Sequence, residues 1–472
     1  MASGAWYARA LGLAGALSAL VPALVMWGFT VDDALIPLRY AHHIATGAGY
    51  RFDASGPATD GVTPLPWAPL LAPLCAGGEL VVALERVKLA GVVAWTAAGA
   101  ALGLALARRT EGERKSKGHA AVALVVLGLA FPVGAWAASG METGFATALA
   151  TFAAVSFDRP RRAALLAGLA GTLRPELVVW AVFVAGGAAI AEGRETTKAS
   201  IAVRARSALF ACAIAFIPFA SCALVRLIVF GRAAPLALLA KPSDLRHGLL
   251  YAGAASIVVL LPILAFAPVA LRRASAFGKT LALAALVHVL VVVGVGGDWM
   301  PYARLLVPVV PSLALVFVET ARVAHAVSAV IRSVVAVALG VLVAVQAAPA
   351  GRQVHAARKE LIAEARPVLA DAKVVAALDV GWVGAATDAR IVDLAGLTDP
   401  AIAVLRGGHT SKAVDLPMLL DRDVDTLIVY GEPRIVEQRL VRTPIFRERF
   451  EHTATLTFGV QRAQRYDVYR RR

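Results

Sequence analysis

Charge is scarce in this sequence. Asp, Glu, Lys and Arg make up 17% of 472 residues, against about a quarter in an average soluble domain. The shortfall is taken up by apolar residues, at 59%, with a mean hydropathy of +0.70. Apolar runs of about 20 residues recur from Leu11 to Ala350, the length that crosses a bilayer as a helix. A soluble globule is thereby excluded in favour of a polytopic membrane protein. Cysteine is scarcer still. Cys75, Cys212 and Cys222 are the only three, all in apolar stretches and without metal-like spacing, so neither a disulfide framework nor a zinc site is implied.

The charge present is lopsided, with 47 Lys and Arg against 32 Asp and Glu. In a soluble protein that excess would suggest nucleic acid. Here the bases fall in clusters between apolar runs, where a Lys/Arg excess is the ordinary signal of cytoplasmic loops, and no nucleic-acid partner is expected. The clusters are Arg108, Arg109, Arg114, Lys115 and Lys117; Arg159, Arg161 and Arg162; Arg194, Lys198, Arg204 and Arg206; Arg272, Arg273 and Lys279; and Arg322 with Arg332. The first apolar run, Leu11 to Trp27, is longer than the roughly 7–15-residue core of a signal peptide and lacks a small-x-small cleavage site, so it reads as an uncleaved first span.

Placing those clusters inside predicts about eleven helices, near 11–30, 87–107, 119–137, 143–157, 162–173, 177–191, 207–230, 248–271, 277–295, 305–319 and 333–350. Residues 31–86 form a long first outer loop, in which the Pro- and Gly-interrupted stretch 67–82 is a half-inserted or juxtamembrane element. The expected architecture is mainly α: a transmembrane bundle over 1–350 and a small extracytoplasmic α/β domain over 351–472. In that domain a helical connector (352–372) precedes short apolar strands at 374–378, 391–394 and 426–430. The chain is expected to sit in the cell (inner) membrane with its site on the outer face. No internal repeat of the transporter kind is visible.

The residues with chemistry gather in the outward segments. Asp32 and Asp33 follow the first span directly. Charge beside a bilayer is expensive, so such groups have a partner or a task. Neighbouring helical residues point about 100° apart, which gives the two carboxylates different roles, and mutual repulsion would raise one pKa, as suits a proton acceptor. Arg39 and His43 follow, then Thr46-Gly47-Ala48-Gly49-Tyr50 and Asp60-Gly61-Val62-Thr63-Pro64-Leu65-Pro66-Trp67. Further polar islands are Ser139–Thr143 with Glu142, Thr172–Glu176 with Arg174 and Glu176, Ala240-Lys241-Pro242, and Gly296–Arg304 with Asp298 and Arg304. Together they supply an acidic base and several cations at one membrane face, a constellation suited to a phosphorylated lipid. Asp421-Arg422-Asp423 imitates a metal–nucleotide-sugar motif but lies where nucleotide sugars are absent. His288 and Arg226 read as satisfied buried groups, and Gly381 and Trp382 as turn and packing positions.

The segment Asp32–Trp67 resembles the first outer loop of bacterial GT-C glycosyltransferases, in the group that includes the terminal arabinofuranosyltransferase of mycobacterial cell walls. Ser139–Glu142 is similar to that group's Ser-Gly-Leu-Glu element, Thr172–Glu176 to its Thr-Arg-Pro-Glu element, Gly296–Arg304 to its Gly-Gly-Asp-Trp-Met element, and Ile391–Pro400 to its outer-domain signature. The resemblance implies a GT-C-like bundle and an inverting transfer of a pentofuranose or hexose from a polyprenyl-phosphate-linked donor to a glycan, lipid or protein acceptor. It implies Asp33 or Asp32 as base, and Arg39, Arg174, Lys241 and Arg304 as partners of the phosphate. Glu142, Glu176, Asp298, His43 and Trp67 would bind substrate. No cofactor is assigned, and assistance by a divalent metal is left open. The alternative class is a transporter or flippase of lipid-linked sugars, which would show paired inverted halves.

Overall fold

A computed structural model describes residues 2–111, 114–195, 200–260 and 271–472. Helix dominates, and among the described residues six helices are long and apolar enough to cross a membrane: Gly4–Val25, Leu80–Arg109, Pro175–Glu192, Ile201–Phe230, Ala276–Gly294 and Ala326–Val368. A seventh span is made if Lys117–Leu129 and Phe131–Ala137, bent by 59° at their junction, count as one. Ala130 and Pro132 mark that break, since a proline removes a helix donor and clashes with the preceding turn.

Helices also occupy the other expected spans, at lengths short of a crossing: Thr143–Val155, Pro160–Leu173 and Val310–Val323 have 13 to 14 residues. The span expected at 248–271 begins as the helix Leu245–Ala255, and its residues 261–270 lie outside the described residues. The expected half-inserted element is a nine-residue helix, Trp67–Cys75, under half the length a helix needs to cross the hydrocarbon.

Contacts divide the chain into two compact units. The first contains Met1–Trp27, Lys88–Cys222 and Ser243–Arg352; the second contains Gly28–Val87, Ala223–Pro242 and Gln353–Arg472. The segment between the first two long helices thus belongs with the C-terminal α/β region.

The first unit packs through small residues. A Cβ built on Gly15 would lie 2.1 Å from the carbonyl oxygen of Gly99, one on Gly103 would lie 2.0 Å from that of Leu11, and one on Gly134 2.5 Å from the carbonyl carbon of Pro22. Backbones approach this closely where side chains are absent, which suits helices that have no hydrophobic drive to associate in lipid.

The second unit holds a five-stranded sheet of order β2-β1-β3-β5-β4, with β1 Val374–Ala377, β2 Arg390–Asp393, β3 Thr426–Tyr430, β4 Phe450–Phe458 and β5 Gln464–Arg471. β1 pairs in parallel with β2 and β3, and the β4–β5 hairpin adds antiparallel strands on the far side of β3. The three parallel strands lie where the short apolar runs predict them. The hairpin has no such run, because exposed Glu451, His452 and Arg465 interrupt it.

Replacing Gly99 by Val forces its side chain against Gly15 and Ala19, and overpacking of this kind costs about 1–3 kcal/mol. The thermal midpoint of the detergent-solubilised protein is expected to fall for Gly99→Val and to hold for Gly118→Val, where a Cβ meets nothing within 4 Å. Equal midpoints would contradict the close helix contact.

Candidate functional site

Within the second unit, the acidic pair opens a short 3-10 helix, Asp32–Ala34, that leads into the helix Leu35–Ala45. The two carboxylates part company. Asp32 accepts hydrogen bonds from the N–H groups of Gly381 (2.8 Å) and Trp382 (3.0 Å) and lies 3.5 Å from the Arg358 guanidinium. Burial, reinforced by the Asp379 and Asp33 carboxylates, pushes its carboxyl up to about 6 against the pull of Arg358 and the Gly381 N–H. Asp33 takes none of these bonds. Its side chain is 30% exposed and its carboxylate lies 3.9 Å from the Lys241 ammonium, itself 26% exposed.

Seven residues on, Arg39 is buried with all five N–H donors of a guanidinium in use. It donates to the carbonyls of Phe52, Gly384, Thr387 and Ala389 and to the Asp53 carboxylate. No donor is left over for an external phosphate, so Arg39 is a positioning residue rather than the phosphate partner expected for it. Asp32 and Arg39 therefore hold opposite ends of the helix Val380–Ala386: the carboxylate at its N-terminal N–H groups, the guanidinium at its C-terminal carbonyls. Each charge complements the helix dipole and satisfies backbone groups that have no partner within the helix. Gly381 and Gly384 permit the approach, since a Cβ on the first would lie 2.1 Å from the Asp32 carbonyl oxygen and on the second 2.9 Å from the Arg39 side chain.

Behind Asp32 runs a network that the sequence did not reveal. The Tyr466 hydroxyl donates to Asp379 at 2.6 Å, Arg434 donates to Asp379 and Glu437 at 2.7 Å, and Arg358 closes the chain back to Asp32. Arg226, at the end of a long apolar helix, pairs with buried Asp60 at 2.8 Å and donates to the Val62 and Thr63 carbonyls. Burial pushes the Asp60 carboxyl up to about 6 in spite of Arg226. Trp67 is buried at the first turn of Trp67–Cys75. His43 is buried, with Nδ1 3.0 Å from the Arg51 carbonyl. Asp393 caps the turn after β2, accepting from the N–H groups of Ala395 and Thr398 and the Thr398 hydroxyl; burial pushes it up to about 6.

The first unit gathers the other predicted residues. Arg174, at the end of Pro160–Leu173, bonds to Glu142 at 2.8 Å and to Glu176 at 2.6 Å, all three nearly buried. Asp298 holds Arg304 at 2.6 Å and also acts on Arg174 electrostatically. Between Asp298 and Arg304, Tyr302 and Ala303 adopt φ of 58° and 52°, a left-handed backbone that is costly for residues with a Cβ. The turn is held by Trp136, whose indole N–H donates to the Tyr302 carbonyl at 3.0 Å, and by the Tyr302 hydroxyl, which donates to the Ala347 carbonyl. His288 lies with its ring nitrogens 2.7 and 3.1 Å from the carbonyls of Leu305 and Glu176. Among the described residues, no group of three or more His, Cys, Asp or Glu side chains is arranged to hold a metal ion.

These features define a mainly helical protein with membrane-length helices and an α/β unit. A family profile described as a domain of unknown function (DUF8728) matches residues 348–469, which take in the helix Val354–Val368, β1–β4 and most of β5. No curated protein and no solved structure matches the chain.

Removing the Asp32 carboxylate takes one ion-pair partner from the mostly buried Arg358 and the acceptor from two N–H groups, a loss worth about 3–5 kcal/mol for a buried pair, whereas the partly exposed Asp33 should cost within about 0.5 kcal/mol. Thermal unfolding of Asp32→Ala and Asp33→Ala checks this, and equal stabilities would overturn the division of roles. Titration gives a second check. Asp393 ionises near 4 when unfolded and at about 6 when folded, so between these values the folded state holds more protons and the group's contribution to stability falls as pH rises. The stability of wild type relative to Asp393→Asn is therefore expected to decrease from about pH 4 to about pH 6.5. A rising difference would contradict the buried, proton-holding carboxyl.

Proposed function

We propose that the protein is an inverting membrane glycosyltransferase of the GT-C type, using a polyprenyl-phosphate-linked sugar as donor and a cell-envelope glycan, lipid or protein as acceptor, with Asp33 as its base. The observation that carries the reading is the partly exposed Asp33 carboxylate beside the partly exposed Lys241 ammonium, next to an Asp32 that is fully committed to backbone and Arg358. Only one of the two acids is free to meet substrate.

In this reading Asp33 takes the proton of an acceptor hydroxyl. The freed oxygen attacks the anomeric carbon as the bond from that carbon to the phosphate oxygen breaks, and the electron pair leaves with polyprenyl phosphate. A single displacement inverts the configuration. The leaving phosphate needs no acid, because a cation stabilises it, and Lys241 is the group of the right charge beside the base. Arg174, at the end of its helix, and Arg304, in the turn after Asp298, are engaged by Glu142, Glu176 and Asp298 and are not spent on phosphate. The bundle of about eleven helices expected from the apolar runs and basic clusters, with the site on the outer face of the inner membrane, is part of the same proposal.

Purified protein supplied with a polyprenyl-phosphate sugar and an envelope acceptor tests it. Loss of a general base typically costs about 10²–10⁴-fold, so Asp33→Asn should lose at least about 10²-fold in kcat with its thermal midpoint unchanged, and Lys241→Gln should slow transfer while folding normally. Full transfer by Asp33→Asn would sink the assignment.

A further inference from the structure

The second unit contains a cavity of about 530 Å³, within the roughly 300–1,000 Å³ range of small-molecule sites, that the proposed chemistry does not use. Gly77 and Gly78 are part of its lining, and its polar side chains include Arg39, His42, His43, Thr46, Glu79, Arg366 and Asp388. His43 Nδ1 faces the Arg51 carbonyl at 3.0 Å, and a carbonyl accepts only from a protonated nitrogen, so a neutral ring leaves Nε2 as a bare acceptor. Burial holds the ring's pKa below the ordinary histidine value, which keeps it neutral. Asp388 is exposed, and among the described hydrogen bonds its carboxylate accepts none from the protein. Arg366 and Glu79 form a two-pronged ion pair at 2.9 Å, both partly exposed at the rim. Thr46 spends its hydroxyl hydrogen on the His42 carbonyl, leaving its oxygen to accept.

The wall is therefore rich in acceptors. Among its lining side chains two cations, Arg39 and Arg366, stand against two carboxylates, Glu79 and Asp388, with Arg39 also paired to Asp53 behind it. An anion would meet two carboxylates. A cation would meet Arg366 and the Arg39 whose charge Asp388 senses. A ligand that brings several O–H donors and no net charge suits both the hydrogen-bond inventory and the balance of charge.

We propose that this cavity is a binding subsite for a neutral saccharide, recognised through its hydroxyl groups by His43, Thr46 and Asp388. That the saccharide belongs to the acceptor rests on the glycosyltransferase reading; that the cavity takes a neutral sugar does not.

The experiment uses the full-length protein in detergent, titrated with methyl arabinofuranoside and methyl galactopyranoside, with glucuronate and glucosamine as charged controls, and followed by saturation-transfer NMR. The neutral glycosides are expected to bind and the charged sugars to bind at least about tenfold more weakly, the size of one hydrogen bond or one misplaced charge. Gly78→Phe should abolish binding by placing a ring at the cavity lining, since a Cβ there meets nothing nearer than 3.8 Å and the chain can fold around it. Asp388→Ala, on the surface, should weaken binding about tenfold without moving the thermal midpoint, and it decides the matter if Gly78→Phe fails to fold. Absence of neutral-sugar binding, undiminished binding in Asp388→Ala, or equal binding of the charged sugars would overturn the subsite. Binding that is lost with these variants in a protein whose Asp33→Asn form transfers sugar at full rate would uphold the subsite and sink only the base assignment.

Discussion

The second unit depends on one short helix held at both ends. Val380–Ala386 is too short to be stable by itself, and its free N–H and C=O groups would be costly inside a protein. Asp32 meets the first and Arg39 the second, so opposite charges seven residues apart grip opposite poles of the helix dipole. Two glycines on the helix let the grip close. The clamp joins residues more than 340 positions apart in sequence, which is how the segment after the first long helix becomes part of the C-terminal unit.

That commitment explains why adjacent aspartates differ. Asp32 is desolvated and surrounded by Arg358, Asp379 and Asp33, and its carboxyl rises to about 6. From the sequence alone, repulsion between neighbours is the cause that would raise one pKa. In the structure burial is the larger cause and repulsion the smaller. The same geometry leaves Asp33 outside the clamp, beside Lys241. A residue that must hold a helix cannot also be released to a substrate, so the pair divides into an anchor and a free acid.

Much of the frame was legible in the sequence. Apolar runs located the long helices, and short apolar runs bounded by Gly and Asp located β1, β2 and β3. The β4–β5 hairpin was not legible, because its exposed face carries charges that break the apolar pattern. Length separated crossing helices from the rest: helices of 13 or 14 residues stand near 143–157, 162–173 and 305–319, where the apolar runs are themselves short of a full crossing. At the site, the polar islands were visible but their partners were not. Arg39 reads as a free cation because its acceptors are mostly backbone carbonyls, which leave no mark on side-chain chemistry. Arg174 reads the same way because Glu142, 32 positions away, gives no spacing signal. Arg358, Asp379, Arg434 and Tyr466 form their network through tertiary contacts alone.

The division between the two aspartates is most directly tested by hydrogen–deuterium exchange at the amides of Gly381 and Trp382, the two N–H groups that Asp32 holds. In Asp33→Asn these amides should remain as protected as in the wild type, while in Asp32→Asn their protection should fall. Equal protection in both variants, or loss in Asp33→Asn, would contradict the account.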